Sequence, residues 1–181
     1  MSFDESDSYE DLRRFPRIYV LQLRQDDPRK CTAAKLVRFN LARPLYKIRQ
    51  IPRRALVLNP FASAHLLSKD RTQATRYGLI AIDCSWEKVQ TAFSHPLPGQ
   101  NVKLPPLLAS NPTNYAKPQR LSSLEALAAS LHIMGFQQEA GKLLSTFKWG
   151  PTFLSLNREL LEAYALASDE QELQVAESQF F

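Results

Sequence analysis

Gly78-Leu79-Ile80-Ala81-Ile82-Asp83-Cys84-Ser85-Trp86 is the stretch that decides the fold. Leu79–Cys84 is the clearest strand of the chain, set off by Gly78, and Ser85–Phe93 behind it reads as a helix. Arg17–Leu23 is a strand by its β-branched and aromatic content. Asp26-Asp27-Pro28 ends it, and Cys31–Arg38 reads as a helix begun at or near Thr32. Ala55–Leu58 is a short buried strand closed by Asn59-Pro60, Ala62–Leu67 a helical turn, and Leu104–Ser110 a last strand weakened by Pro105 and Pro106. Short apolar strands alternating with helices imply an α/β fold with a mostly parallel sheet.

After Asn111 the pattern turns helical. Residues 122–134 are rich in Ala and Leu, and Ser122 with Glu125 forms the S-x-x-E capping box. Helices are expected from about Gln138 to Phe147 and from about Phe153 to Ala167. The expected organisation is a disordered tail over 1–16, an α/β lobe over 17–110 and an all-helical lobe over 111–181.

Composition narrows the function. No apolar run approaches the ~20 residues that span a bilayer. The acidic start, MSFDESDSYEDLRR, lacks the basic and apolar regions of a signal peptide, so a cytoplasmic protein is expected. Cys31 and Cys84 are expected to be reduced thiols. His65, His95 and His132 have no partner at a metal-ligand spacing, so no metal is expected. No GxGxxG, P-loop or GxSxG occurs, which argues against a dinucleotide site, an NTPase and an α/β hydrolase.

The net charge of +5 is unevenly placed. From Pro28 to Lys69 there is no Asp or Glu, while the stretch carries Arg29, Lys30, Lys35, Arg38, Arg43, Lys47, Arg49, Arg53, Arg54 and Lys69. Acids concentrate in the first eleven residues and from Glu159 onward. A one-signed run of this length attracts polyanions, and neutralised phosphates supply most sequence-independent RNA affinity. Lys35, Arg38, Arg43, Lys47, Arg49, Arg53 and Arg54 are the candidate RNA contacts.

Three segments follow or contain strands and lead towards helices: Asp26-Asp27-Pro28-Arg29-Lys30-Cys31-Thr32, the Asp83-Cys84-Ser85-Trp86 strand end, and Asn111-Pro112-Thr113-Asn114-Tyr115 running to Leu121-Ser122-Ser123-Leu124-Glu125-Ala126. Ligands of open α/β sheets bind beyond the carboxyl ends of strands, so the three could meet at one site. Together these segments resemble the ribosomal RNA aminocarboxypropyltransferases over roughly residues 17–167. The resemblance implies a SPOUT-like fold with a knotted cofactor site and a helical C-terminal lobe. It implies S-adenosylmethionine as donor of a 3-amino-3-carboxypropyl group, and nitrogen 3 of 1-methylpseudouridine in small-subunit rRNA as acceptor, in ribosome biogenesis. A methyltransferase of SPOUT type and a non-catalytic rRNA-binding assembly factor are the alternatives.

The resemblance also assigns residues. Thr32 and Ser122 would hold the donor carboxylate, Ser122 through its backbone N–H because the capping box occupies its side chain. A helix start suits an anion through its free N–H groups and dipole. Trp86 and Val89 would enclose the sulfonium methyl, and Trp is attractive beside a cation. The Ile82 carbonyl would meet the ribose. Asp83 would lie near the donor's amine or cation. No residue of the sequence is an obvious base for the acceptor's proton: Asp83 is the candidate, and loss of the proton to solvent is the alternative. Leu58, Pro60, Leu108 and Leu124 would frame the adenine. Ala116, and Ala33-Ala34, stand where the family has glycine, which puts two loop geometries in question.

Overall fold

The computed structural model describes residues 15–23 and 31–181. The tail expected over 1–16 lies outside the described residues as far as residue 14, and so do Asp26, Asp27, Pro28, Arg29 and Lys30.

Five strands form one parallel sheet: β1 (Ile18–Gln22), β2 (Arg43–Leu45), β3 (Leu56–Leu58), β4 (Leu79–Asp83) and β5 (Gln100–Val102), in the order β2-β1-β4-β3-β5. Both faces of its centre are covered, which is why β4 is apolar without alternation. Ile18, Val20, Leu56, Leu58, Leu79 and Ala81 face one core. Leu21, Leu45, Val57, Ile80 and Ile82 face another with Ile51, Ala55 and Leu97. Strands β2 and β5 escape a reading by composition. Each has three residues, and Pro44 sits in β2 because an edge strand can spare a donor.

The expected strand over Leu104–Ser110 is not one. Pro105 and Pro106 carry no N–H, and the segment satisfies its backbone on helical side chains instead. Asn157 Oδ1 accepts the Leu108 N–H at 2.7 Å and its Nδ2 donates to the Leu108 carbonyl at 2.9 Å. The Tyr164 hydroxyl donates to the Pro106 carbonyl at 3.0 Å.

Among the described residues the helices are α1 (Thr32–Arg38), α2 (Arg71–Tyr77), α3 (Val89–Ala92), α4 (Ser123–Ile133), α5 (Gln137–Leu144), α6 (Gly150–Leu156), α7 (Arg158–Leu166) and α8 (Glu170–Ser178). Ala62–Leu67 is not helical; the helix comes later, as α2, behind a 3-10 turn over Ser68–Asp70. Of the expected Ser85–Phe93 helix only α3 forms. The single helix expected over 153–167 breaks at Asn157 into α6 and α7, because the Asn157 amide is committed to Leu108. Gly78 ends α2 at φ +100°, where a Cβ would stand 2.7 Å from the Tyr19 ring. Only glycine fits that crossing between α2 and β4.

Helix α4 ties the molecule together. It packs on β4, α1, α5 and α7. Leu124, Leu127 and Leu131 are fully buried, and each contributes roughly 1.5–3 kcal/mol by leaving water. The strand-rich and helix-rich parts therefore share one hydrophobic core. Among the described residues, no helix is long and apolar enough to cross a membrane.

Candidate active site

The sheet splits at its carboxyl end. Strand β4 pairs with β1 along its whole length, Ile18↔Leu79 to Gln22↔Asp83, but with β3 only at Leu56↔Leu79 and Val57↔Ile80. Ala81, Ile82 and Asp83 thus have no ladder partner on the β3 side, and all three line a cavity of about 940 Å³. Ile82 is nearly buried because its side chain packs on the second core; its backbone is what the crevice can meet.

Thr32 lines this cavity at the start of α1, as the expected helix start has it. The cap of α1 is Cys31, whose Sγ accepts the Ala34 N–H at 3.3 Å. Thr32 is the first helical residue, where the N–H has no carbonyl a turn back to bond. The same thiol donates to Asp83 Oδ2 at 2.9 Å, across 52 residues of sequence. Burial, and then this bond, push the Cys31 thiol from an ordinary value of 9.0 up to about 12, so it stays protonated at neutral pH.

Trp86 lies half-buried on the cavity wall with Val89, and its indole N–H donates to the Leu121 carbonyl at 3.0 Å. That bond spans from the end of β4 to the segment leading into α4. Ser122 lines the cavity at the α4 cap, and the capping box is present. It overturns the expected backbone contact, however. Glu125 Oε2 already accepts the Ser122 N–H at 2.7 Å, while Ser122 Oγ accepts the Glu125 N–H at 3.2 Å. A hydroxyl that accepts still has a proton to donate, so Oγ–H is the group Ser122 can offer an anion.

The loop between them folds back on the extended segment. Asn111 Nδ2 donates to Glu125 Oε2 at 2.8 Å, and the Ala116 N–H to the Ala109 carbonyl at 2.7 Å. Ala116 stands at φ +59°, a left-handed conformation that costs a residue with a Cβ roughly 1–2 kcal/mol. A glycine there would carry no such cost. Ala33, by contrast, is a buried helical residue that glycine would weaken.

Of the residues expected to frame an adenine, Leu58 and Pro60 line the cavity. Leu108 and Leu124 are not among its lining residues: Leu108 is held by Asn157, and Leu124 is fully buried in the core. Reasoning from sequence missed Cys31 as a site residue, the tilted aromatic pair Phe147 and Trp149, and Glu177 of α8. Only the Phe147-Lys148-Trp149 spacing between two helices could have signalled the pair. Among the described residues, no group of three or more His, Cys, Asp or Glu gathers as a metal site.

The acid-free run does not form one surface. Arg38, Arg43, Lys47, Arg49, Arg53 and Arg54 are exposed. Lys35 is not: its Nζ donates to the Thr146 carbonyl at 2.8 Å and stacks 3.9 Å from the Phe147 ring centroid. Lys47 and Arg49 follow the carboxyl end of β2, at the cavity's end of the sheet. Arg53 and Arg54 precede β3 at the amino end, where Arg54 stacks on Tyr77 at 4.4 Å.

Comparison with known proteins gives the chain's family. Residues 56–181 match the family model described as ribosome biogenesis protein, C-terminal. Residues 16–47 match one described as a possible Fer4-like domain in RNase L inhibitor, RLI. Iron–sulfur clusters of that kind are held by four cysteines, and residues 16–47 contain one, Cys31. The 16S rRNA aminocarboxypropyltransferase of Methanothermobacter thermautotrophicus is 46% identical over 170 residues, covering 90% of this chain and 96% of that protein. That of Vulcanisaeta distributa is 44% identical over 162 residues, covering 87% and 88%. The solved structure of a SAM-dependent rRNA:acp-transferase from Vulcanisaeta distributa superposes with a TM-score of 0.82 at 40% identity, over 91% of this chain and 95% of that one. The chain belongs to the ribosomal RNA aminocarboxypropyltransferase family.

Proposed function

We propose that this protein transfers a 3-amino-3-carboxypropyl group from S-adenosylmethionine to nitrogen 3 of a modified uridine, 1-methylpseudouridine, in small-subunit rRNA during ribosome biogenesis. The observation that carries this reading is the convergence of Thr32, Asp83, Trp86, Val89 and Ser122 on one crevice at the carboxyl end of the sheet. Membership of the family supports the reaction.

The crevice fits such a donor. Its volume is at the upper end of the ~300–1,000 Å³ of small-molecule sites, which leaves room for an acceptor base beside the donor. Its walls mix apolar surface from Leu58, Pro60, Trp86 and Val89 with donors at two helix starts and the carboxylates of Asp83, Glu87 and Glu177. Bound there, S-adenosylmethionine supplies a sulfonium whose amino acid side-chain carbon is open to attack, the electron pair of the broken carbon–sulfur bond leaving with methylthioadenosine.

The chain's residues choose that carbon by orientation. The Thr32 amide and hydroxyl and the Ser122 hydroxyl hold the donor carboxylate, one from each part of the molecule. Trp86 and Val89 enclose the methyl, and the Trp86 indole N–H, committed to Leu121, keeps the ring in place. The Ile82 carbonyl accepts from the ribose. Asp83 accepts the proton that nitrogen 3 gives up as its new bond to carbon forms. Lys47 and Arg49 draw the RNA backbone towards the cavity's end of the sheet, and the target base is presented from a loop, since a paired nitrogen 3 is inaccessible. The leaving product tests the reading. Methylthioadenosine is expected from incubation with hypomodified rRNA, and S-adenosylhomocysteine would assign the protein to methylation instead.

A further inference from the structure

The Cys31 thiol makes two bonds at once. It accepts the Ala34 N–H at the start of α1 and donates to Asp83 Oδ2 at the end of β4, and Cys31 and Asp83 both line the cavity. A carboxylate turns broadly about χ2, so its direction is set by what holds it. Here one oxygen is tied to a thiol that is itself tied to a helix. A residue serving only as a cap would by preference be Ser, Thr, Asp or Asn.

We propose that Cys31 is a positioning residue: by linking the α1 cap to Asp83 Oδ2, it holds the Asp83 carboxylate in the direction from which it takes the acceptor's proton. This rests on the proposed role of Asp83 as proton acceptor. The thiol does not act as a nucleophile and forms no covalent bond in the cycle. It remains a protonated donor throughout, and the nitrogen 3 proton passes to Asp83 and then to solvent.

The experiment compares the full chain with C31A, C31S, D83N and C31A/D83N, each checked for folding by thermal melt, using S-adenosylmethionine and hypomodified small-subunit rRNA. A displaced base slows the chemical step without loosening the donor, so C31A is expected to lower kcat about tenfold while the donor KM stays within about twofold. C31S keeps a donor and a cap and is expected to recover most of the rate. The double variant is expected to be no slower than D83N, because Cys31 acts through Asp83. A readout independent of turnover is iodoacetamide alkylation resolved at Cys31 by mass spectrometry. D83N replaces the charged carboxylate that holds the thiol proton with a neutral and weaker acceptor, so alkylation at mildly alkaline pH is expected to be severalfold faster than in the parent protein. Full kcat in folded C31A, a double variant slower than D83N, or alkylation unchanged in D83N would each overturn the inference. D83N turning over at the parent rate would refute the base role itself, and this inference with it, whatever the alkylation shows of the bond.

Discussion

Glu125 and Ser122 hold each other in both directions: the Glu125 carboxyl accepts the Ser122 N–H at 2.7 Å, and Ser122 Oγ accepts the Glu125 N–H at 3.2 Å. The same buried carboxyl also accepts Ser110 N and Oγ and Asn111 N and Nδ2. One side chain thus closes the 111–121 loop onto α4 and fixes where Ser122 stands. Glu125→Ala strands several buried donors, at roughly 1–3 kcal/mol each. A loss of roughly 3 kcal/mol or more, or about 6–12 °C in Tm for a chain of this size, is expected by calorimetry. A loss no larger than that of a surface substitution would show that the loop closes without it.

Trp86 is on the cavity wall and not in either apolar core. Trp86→Ala is expected to weaken S-adenosylmethionine binding about tenfold or more by titration calorimetry, with the protein still folded. Trp86→Phe, which keeps an apolar ring and loses the bond to Leu121, should fall between. Unchanged affinity in both would place the ring outside the donor site.

The charged run divides by geometry. Reversal of Lys47 and Arg49 to Glu is expected to lower rRNA affinity and flatten its salt slope by about one per lost phosphate contact, with donor affinity kept. Reversal of Arg53 and Arg54, at the other end of the sheet, should do less. Equal effects would mean that the RNA wraps the sheet edge from end to end.

Much of this was legible in the residues, and the misses have physical causes. The β4 run, the β1 and β3 apolar clusters and the Ser122/Glu125 box each carry their own signal in adjacent residues. Arg43-Pro44-Leu45 and Gln100-Asn101-Val102 carry none, because an edge strand of three residues owes its existence to its neighbour. The helix break at Asn157 is a tertiary effect, set by Leu108 some fifty residues earlier. So are the Cys31–Asp83 bond and the withdrawal of Lys35 from the surface. Charge counting likewise could not tell which end of the sheet each arginine occupies.

His132 of α4 gives the stability a pH dependence. Both ring nitrogens are buried without a hydrogen-bond partner among the described residues, and burial holds the ring's pKa below its ordinary 6.5, with Glu162 pulling partly back. The folded chain therefore binds this proton less readily than the unfolded one. Its contribution is present above 6.5 and is lost as pH falls through the folded value. Tm is expected to fall as pH is lowered below 6.5, and His132→Leu to lessen the drop. An identical pH slope in the variant would remove His132 as a source.

The central claim is that Thr32 and Ser122 pin the donor's amino acid chain while Trp86 and Val89 shield its methyl, so that the chain carbon is what reacts. Two labelled donors decide it, one with label in the carboxyl carbon and one with label in the methyl. Each is incubated with the protein and hypomodified small-subunit rRNA. Carboxyl label is expected in the RNA, with methyl label leaving in methylthioadenosine. Methyl label in the RNA would contradict it.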